Sequence, residues 1–112
     1  MWILVSPAFI KWFTPKNMGG ITLFPFIILK EERLKTDKTF LHHEYIHLHQ
    51  QAELFVLLFL LLYVGEFLIR WLQYRNAYEA YRNISFEREA YDNEANYDYL
   101  KTRKWLAFTK YW

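Results

Sequence analysis

The most restrictive feature of the sequence is the apolar run from Leu54 to Ile69, interrupted only by Gly65 and Glu66. A helix that is apolar on all sides lies deep in a core or in lipid. Residues 54–69 would extend roughly 24 Å as a helix, which is short of the roughly 30 Å of a bilayer core. A chain of 112 residues has little material to surround such a helix. We therefore expect this run to contact membrane lipid or to form a hydrophobic homodimer surface.

The composition fits a single small domain, residues 1–112. More than half of the residues are apolar and about a fifth are aromatic, which argues against disorder. The formal net charge of +2 is too weak to indicate a nucleic-acid partner. Because the chain contains no cysteine, disulfides and thiolate metal sites are excluded, and any metal must be held by histidine and carboxylate side chains.

A metal-binding pattern comes directly before the apolar run. The segment Phe40 to Glu53 contains the HExxH sequence His43-Glu44-Tyr45-Ile46-His47. On a helix, His43 and His47 are one turn apart and project from the same face, where two neutral imidazoles can bind zinc. The carboxylate of Glu44 lies beside that face and can act as the general base toward a metal-activated water. An accidental pattern on a solvated helix is the alternative.

The N-terminal part of the chain predicts a small β element. Met1 to Phe13 is a poor signal peptide, and we interpret it as a strand over the core or a short interfacial segment. Thr14 to Gly20 predicts a turn. Ile21 to Leu29 is rich in β-branched and aromatic side chains, and Pro25 makes it an edge or bulged strand. Such an edge could hold an extended peptide.

Two long helices are expected after the strand. Asp37 and two neighbouring threonines offer N-cap oxygens for a helix that begins near Phe40. We expect this helix to continue without a break into the apolar run and to turn near Phe67 to Arg70. A second helix would follow from Trp71 to Tyr99, in which the repeated Tyr-Arg-Asn triplet reflects helix periodicity. A heptad-like seam would face the first helix: Trp71, Tyr74, Tyr78, Tyr81 and Ser85.

The predicted fold class is mainly α with a small β element. The zinc helix and a Glu helix form an antiparallel hairpin, and an N-terminal strand or hairpin lies over the active-site helix. The tail from Leu100 to Trp112 interleaves basic and aromatic residues, which suits a membrane interface. A final helix that packs its aromatic side chains inward is the alternative.

A third protein ligand is required, because two histidines alone hold zinc weakly. His42 and His49 point away from the metal face of the helix, and no histidine follows them. Gln50 and Gln51 share that face and could bind substrate or cap the cleft.

The hairpin directs the search for this ligand to the acidic segment Ser85 to Glu94. With arms of roughly 30 Å, the second helix returns to the level of His47 at about Glu87 to Asn93. Glu87 and Glu94 are seven residues apart and share a face, whereas Glu89 points away. A solvated acidic helix paired with nearby arginines is the alternative.

The HExxH pattern followed by Glu87-Arg88-Glu89-Ala90 resembles the gluzincin metallopeptidases, nearest to the minimal single-domain members and the CAAX-protease type. The Glu of the E-x-x-A-D sequence is the third zinc ligand in those families, so the resemblance implies this role for Glu87. It also implies that the strand at Ile21 to Leu29 forms an upper rim over the active-site helix. The sequence departs from the family at Tyr91, where the family has an Asp that orients a ligand histidine. Tyr91 and Asp92 are the candidate substitutes.

The sequence and the resemblance predict a zinc-dependent metallopeptidase that hydrolyses bonds in peptide or protein substrates. Zinc would be held by His43, His47 and Glu87, with Glu44 as general base and Tyr91 as oxyanion stabiliser. The alternative is a non-catalytic, membrane-associated metal-binding or scaffold protein; a soluble helical bundle with an accidental motif is a third interpretation. We expect association with the cytoplasmic membrane, with no predicted orientation because Lys and Arg flank the apolar run on both sides.

Overall fold

The structure is a computed structural model that describes residues 2–13 and 19–112. It is mainly helical with a small three-stranded sheet, which confirms the predicted fold class. In chain order, the elements are β1 (Trp2–Val5), α1 (Pro7–Phe13), β2 (Gly20–Leu23), β3 (Phe26–Leu29), α2 (Lys38–Tyr74), α3 (Ala77–Arg82), α4 (Ser85–Asn93) and α5 (Tyr99–Thr102), with short 3₁₀ helices at Glu32–Thr36 and Ala107–Tyr111.

The sheet has the order β1-β3-β2, with β3 parallel to β1 and antiparallel to β2. The prediction of one continuous strand from Ile21 to Leu29 is therefore wrong. The chain turns back at Phe24–Pro25, whose peptide bond is cis, and Pro25 has no N–H group to donate to a ladder. In the resulting hairpin, β2 is an edge strand of the sheet, whereas β3 is the central strand.

The first segment of the chain forms a strand and a helix, where one strand or an interfacial segment was predicted. Strand β1 ends at Val5, and the side chain of Ser6 accepts a hydrogen bond of 3.2 Å from the backbone N–H of Phe9. Pro7 then occupies the first position of α1, a position that tolerates its missing N–H group. Most of the turn predicted at Thr14 to Gly20 lies outside the described residues.

The inner face of the sheet covers the start of α2. Ile27 and Leu29 of β3 are fully buried against Leu34 and Leu48. Burial of side chains of this size stabilises a fold by roughly 1.5–3 kcal/mol each. The sheet thus lies over the helix that carries the HExxH pattern, as the predicted fold class has it.

Helix α2 has a sharp kink, although an unbroken helix was predicted. The carboxylate of Asp37 caps its start by accepting the N–H of Phe40 at 3.0 Å. At Phe55 the backbone leaves the helical region (φ 54°, ψ 135°), which divides α2 into a first segment, residues 38–54, and a second segment, residues 56–74. The turn predicted at Phe67 to Arg70 is also wrong, because the helix continues to Tyr74 and ends with Arg75 in the left-handed conformation.

The second arm of the hairpin consists of several short helices, and the single helix predicted from Trp71 to Tyr99 is wrong. The two Tyr-Arg-Asn triplets mark the breaks. The side chain of Asn76 caps α3 by accepting the N–H of Glu79 at 3.0 Å, and Asn83 follows the end of α3. The amide oxygen of Asn76 thus replaces a missing backbone acceptor at the start of α3, whereas the amide nitrogen of Asn83 donates to the backbone oxygen of Glu79 at the end of α3. Of the predicted seam, the first three members, residues 71, 74 and 78, are exposed.

The second segment of α2 buries one narrow face and exposes the rest. Phe59 packs against Phe86 of α4, with ring centroids 4.6 Å apart. Large apolar side chains elsewhere on this segment are exposed: Leu57, Leu58, Leu60, Leu61, Leu62, Val64, Leu68, Ile69 and Leu72. Among the described residues, α2 is one helix long and apolar enough to cross a membrane, and only 17% of its apolar window is buried.

The C-terminal tail divides between the two predicted alternatives. Phe108 packs inward, with its ring centroid 4.4 Å from that of Phe86. Trp105 and Trp112 remain exposed. The tail therefore completes the core around α4 while it presents aromatic side chains at the surface.

Candidate metal centre

Three side chains capable of binding a metal converge between the first segment of α2 and α4. The Nε2 atoms of His43 and His47 are 3.2 Å apart, and Oε1 of Glu87 lies 3.1 Å from the first and 3.2 Å from the second. All three side chains are buried. The histidines meet because residues four apart share a face of the helix. The structure thus brings together the three residues predicted as zinc ligands.

Hydrogen bonds on the far side of each imidazole determine which ring nitrogen carries the proton. Nδ1 of His43 lies 3.2 Å from a carboxylate oxygen of Glu94, and Nδ1 of His47 lies 2.7 Å from Oε1 of Gln50. Both oxygens are acceptors, so each neutral imidazole carries its proton on Nδ1. The two Nε2 atoms then direct lone pairs toward each other and toward the carboxylate of Glu87.

The amide orientation of Gln50 is fixed by its own partners. Its Nε2 group donates to the backbone oxygen of Phe86 at 3.1 Å and to Oε1 of Glu89 at 2.9 Å. Both partners are acceptors, which leaves the amide oxygen of Gln50 to face the imidazole. Glu89 in turn forms a buried ion pair with Arg103, which also pairs with Glu53. A continuous polar network therefore supports the centre from the side of the C-terminal tail.

Three acceptor atoms that lie so close together repel one another unless a cation, either a proton or a metal ion, lies between them. A tetrahedral zinc ion with ligand bonds of about 2.0–2.1 Å separates its ligand atoms by about 3.3 Å. The observed separations are 3.1–3.2 Å. Two imidazole nitrogens and one carboxylate oxygen are also a donor set that zinc accepts, with a fourth position left for water or substrate. The residues present therefore fit a zinc ion.

The two oxygens of Glu87 have separate partners. Oε1 faces the histidines, whereas Oε2 accepts a hydrogen bond of 2.6 Å from the hydroxyl group of Tyr63. When a proton rather than a metal ion lies among these atoms, His47 carries it: burial alone would lower the pKa of His47, but the negative charge of Glu87 raises it to about 9. Burial also opposes ionisation of Glu87, but the charge on this protonated His47 and the hydrogen bonds from His43 and His47 hold the pKa of Glu87 well below its ordinary value. Glu87 is therefore ionised, the form of a carboxyl group that can bind a metal ion. Tyr63 was missed in the sequence because it lies within the apolar run.

The carboxylate of Glu44 lies outside this cluster of three and is held by β2. The hydroxyl group of Thr22 donates to Oε2 of Glu44 at 2.6 Å. The amide of Gln51 joins the same strand, donating to the backbone oxygen of Thr22 at 2.7 Å and accepting the N–H of Phe24 at 2.6 Å. These contacts fix β2 against α2. They also occupy two backbone groups at the strand edge that was expected to hold an extended peptide.

Two tyrosines adjoin the metal centre. The ring of Tyr91 lies against that of His43, with centroids 4.5 Å apart, and its hydroxyl oxygen is 2.8 Å from that of Tyr81. Burial, followed by the negative charge of Glu87, raises the pKa of Tyr81 well above its ordinary value, and the charge of Glu44 adds to this effect. Tyr81 therefore stays protonated and keeps a hydroxyl group to donate.

The carboxylate beside His43 belongs to Glu94, and neither candidate substitute for the family's Asp occupies that position. Tyr91 contacts the same ring only through its edge, and Asp92 is exposed. The spacing of Glu87 and Glu94 was the signal in the sequence, since residues seven apart share a helix face.

The remaining polar residues of the HExxH segment have structural contacts of their own. His42 is buried with Nδ1 2.9 Å from the backbone oxygen of Glu94, whereas His49 is exposed and bonds to the backbone of Tyr45. Gln50 and Gln51 are fully buried and join elements of the protein to one another. Their contacts leave no amide group of either side chain for the substrate or cleft role that was predicted.

Comparison of the chain with protein-family models, with curated proteins and with solved structures finds no match.

Proposed function

We propose that the protein is a zinc-dependent metallopeptidase whose ion is held by His43, His47 and Glu87. The observation that carries this proposal is the convergence of two imidazole lone pairs and a carboxylate oxygen, each oriented by a hydrogen bond from behind. Zinc in such a position supplies Lewis acidity toward water and toward the carbonyl group of a substrate. A fourth position that is open to water or substrate separates a catalytic from a purely structural zinc site, and the proposal requires such a position here.

The chain's own residues then supply the proton transfers. In this proposal, the carboxylate of Glu44, oriented by Thr22, takes a proton from the attacking water and returns it to the leaving amine. The hydroxyl pair of Tyr81 and Tyr91 supplies a donor for the oxyanion that develops on the substrate carbonyl.

The gluzincin class is the form of metallopeptidase that we propose. Support comes from the order of the elements, since the helix with the HExxH pattern precedes the helix with Glu87 and lies under a small sheet. Further support comes from Glu94, which gives His43 the carboxylate partner that zinc-binding histidines generally have.

Membrane association through the second segment of α2 is the second part of the proposal. A soluble monomer rarely exposes an apolar patch larger than a few hundred Å², and this segment exposes long aliphatic side chains over its whole length. Trp71, at the end of the segment, is of a type enriched at lipid–water boundaries. A homodimer through the same surface is the competing arrangement.

A non-catalytic, membrane-associated metal-binding or scaffold protein is the alternative function. The observation that favours it is the edge of β2, where Gln51 occupies the backbone oxygen of Thr22 and the N–H of Phe24. A peptidase that holds its substrate as an added strand needs such groups free.

Metal content tests the site directly. We expect one zinc ion per chain in elemental analysis of the purified protein, and a loss of that zinc in the Glu87→Ala variant. Glu79→Ala is the matched control, because Glu79 is exposed on α3 and is not part of the cluster. Wild-type protein without stoichiometric zinc would overturn the proposal.

Substitution of the general base separates the two functions. We expect Glu44→Gln to retain zinc and to lose cleavage of a mixed peptide library by roughly 10²–10⁴-fold, while Glu32→Gln, which changes an exposed residue paired with Lys35, stays at the wild-type rate. Cleavage by Glu44→Gln at the wild-type rate would remove Glu44 from the mechanism. Zinc-loaded wild-type protein that cleaves nothing in several detergents would support the scaffold alternative.

A further inference from the structure

A cavity of about 320 Å³ adjoins the metal centre through Tyr91, which lines it. The same tyrosine ring contacts His43 at a centroid separation of 4.5 Å. Two arginines, Arg82 and Arg88, also line this cavity. A group bound there would therefore lie one aromatic ring away from a proposed zinc ligand.

Among the described residues, the guanidinium group of Arg82 has an aromatic partner but no anionic one. Its Cζ atom lies 3.6 Å from the centre of the Tyr91 ring. Within residues 2–13 and 19–112, no hydrogen bond or ion pair involves the Arg82 side chain, which is half-buried. Stacking uses the flat face of a guanidinium group and leaves its in-plane N–H groups available, in the fork that matches a carboxylate.

Arg88 brings a second positive charge, and none of the carboxylates that the structure describes forms an ion pair with it. Its Nη1 group donates to the backbone oxygen of Tyr111 at 3.0 Å, and its Nη2 group donates to the side-chain oxygen of Asn83 at 2.8 Å. Both acceptors are neutral. These bonds fix the Arg88 side chain in the cavity wall without cancelling its charge.

Two carboxylates, Glu79 and Asp92, also line the cavity, but both are exposed, whereas the two arginines are half-buried. Across the described part of the chain, neither carboxylate comes within 4.0 Å of the Arg82 or Arg88 guanidinium nitrogens. Exposed charges are screened by solvent and ions more strongly than partly buried ones. The two arginines are therefore the less strongly screened charges in the lining of the cavity.

We infer that this cavity is a substrate subsite that binds a carboxylate of the peptide through the free N–H groups of Arg82. The inference rests on the proposed peptidase function. The two contacts of the Tyr91 ring put the Arg82 guanidinium group within about 8 Å of the His43 imidazole. An extended peptide covers that distance in about two or three residues, at roughly 3.3–3.6 Å per residue. The carboxylate of the peptide is either the C-terminal carboxylate or the side chain of an aspartate or glutamate at that distance.

Pairs of peptides that differ only in one carboxylate test the subsite. The substrates are N-acetylated tetrapeptide mixtures with a free or amidated C-terminus, and a second pair with an internal glutamate or glutamine. We expect the zinc-loaded protein to show a KM about 10–100-fold lower for the carboxylate member of one pair, because charge-assisted bidentate hydrogen bonds are strong. The pair that shows this difference identifies the source of the carboxylate.

Substitution of Arg82 tests whether its guanidinium group binds the carboxylate of the peptide. In Arg82→Gln, we expect the KM for the carboxylate peptide to rise to that of its neutral partner while kcat stays within about twofold. Arg82→Lys keeps the charge but loses the fork, and should recover only part of the difference. Arg75→Gln is the matched control, since the Arg75 guanidinium also stacks on an aromatic ring, that of Trp71, but lies outside the cavity.

Failure of the subsite is distinguishable from failure of the peptidase function. Cleavage with equal KM for both members of each pair, unchanged in Arg82→Gln, overturns the subsite and leaves the peptidase intact. The second readout is the NMR shift of the Arg82 Nε–H group on titration with each peptide. A shift caused by the carboxylate member alone supports the subsite even in a protein that cleaves nothing, and the absence of a shift with either member overturns it.

Discussion

Nδ1 of His43 and Oε1 of Glu94 are 3.2 Å apart, although Glu94 lies one residue beyond the end of α4. The backbone oxygen of Glu94 lies 2.9 Å from Nδ1 of His42. The adjacent residues His42 and His43 therefore both contact Glu94, one at its backbone and the other at its side chain. The side-chain contact orients the imidazole of His43 with Nε2 toward the metal centre. The helix end is thereby fixed to α2 by the site itself.

Loss of the Glu94 carboxylate should weaken zinc binding without removing a ligand. Partners of this kind typically contribute 10–100-fold to metal affinity, so we expect the zinc Kd of Glu94→Ala to rise by about that factor. Competition with a chromophoric chelator measures it. Asp92→Ala is the control, because Asp92 is exposed and two residues away. An equal loss of zinc affinity in both variants would show that the Glu94 carboxylate makes no specific contribution to zinc binding.

The hydroxyl group of Tyr63 fixes the other end of the Glu87 carboxylate, at 2.6 Å from Oε2. Tyr63→Phe removes only that hydrogen bond, and we expect zinc affinity to fall about 10-fold and the free energy of unfolding to fall by about 1 kcal/mol. Chelator competition and urea unfolding in mild detergent measure the two quantities. Tyr74→Phe provides the comparison, since Tyr74 is exposed; an effect of the same size there would contradict the assignment.

The sequence predicts the helix with the HExxH pattern well because its signals are local. Asp37 caps the helix at a position that composition alone indicates, and the four-residue spacing of His43 and His47 guarantees a shared face. The segment with Glu87 was found at the right level although the arithmetic behind it assumed an unbroken helix and a turn at Phe67 to Arg70, whereas α2 has a kink at Phe55 and continues to Tyr74. The cap and the shared helix face depend on residues that are close in sequence, whereas Glu87 is 40 residues from His47.

The features that sequence reasoning missed depend on distant contacts. Nothing near Phe55 signals a kink, since neither Pro nor Gly is present there, yet Glu53 beside it is held by Arg103 and by the N–H of Leu106. Likewise, the polar groups of Tyr63 and Glu66 lie within an apolar run because they form hydrogen bonds with α4, to Glu87 and Ser85 respectively. The breaks at Asn76 and Asn83 were readable as caps, but the regular seven-residue spacing favoured one continuous helix.

Glu66 is the residue that seats α4 on the second segment of α2. Its carboxylate accepts hydrogen bonds from the backbone N–H and the hydroxyl group of Ser85, at 2.5 and 2.6 Å, and lies 3.6 Å from the guanidinium group of Arg70. Because its loss leaves a buried arginine unpaired, we expect Glu66→Ala to lower the free energy of unfolding by about 3–5 kcal/mol.

Ser85→Ala removes one of these two hydrogen bonds and keeps the ion pair, so its expected loss is smaller, about 1 kcal/mol. Urea unfolding in mild detergent compares both variants with Glu79→Ala, which changes an exposed residue of α3. Zinc affinity should also fall in Glu66→Ala, since α4 carries Glu87. A Glu66→Ala protein as stable as the control would show that α4 is held mainly by its apolar contacts.

The buried pair of Glu89 and Arg103 predicts a dependence of stability on pH. Burial opposes ionisation, but hydrogen bonds from Arg103, Tyr99 and Gln50 hold the pKa of Glu89 below its ordinary value. A carboxyl group with a lowered folded-state pKa stabilises the fold above its unfolded pKa of about 4.3, and this contribution disappears as the pH falls through the folded-state pKa.

We therefore expect Glu89→Gln to be less stable than wild type by on the order of 3 kcal/mol at pH 7, with a difference that shrinks as the pH falls below about 4. Urea unfolding in the presence of a chelator measures it without a contribution from metal release. Glu32→Gln, at an exposed ion pair with Lys35, should show almost no difference at either pH. A difference in the free energy of unfolding between wild type and Glu89→Gln that increases as the pH falls would contradict stabilisation by the ionised Glu89 carboxylate.

The exposed apolar surface of the second segment of α2 predicts that the protein binds lipid through this segment. Leu57 and Leu61 are 70% and 63% exposed and lie one turn apart on the same face. Burying each leucine in lipid contributes roughly 1.5–3 kcal/mol. We therefore expect the double variant Leu57→Ser/Leu61→Ser to lower the partition coefficient into liposomes by at least about 100-fold, as measured by flotation. Leu4→Ser, on the exposed side of β1, is the matched apolar control and should float like wild type.

High salt separates apolar insertion from electrostatic attraction, because it screens contacts between basic side chains and anionic headgroups but does not weaken burial of leucine. Wild-type protein should stay with the liposomes at 1 M salt, where the Debye length is about 3 Å. Release by salt alone would contradict insertion of this face. If the double variant instead floats like wild type but loses a concentration-dependent dimer in detergent, the surface joins two copies of the chain, and lipid binding must reside elsewhere.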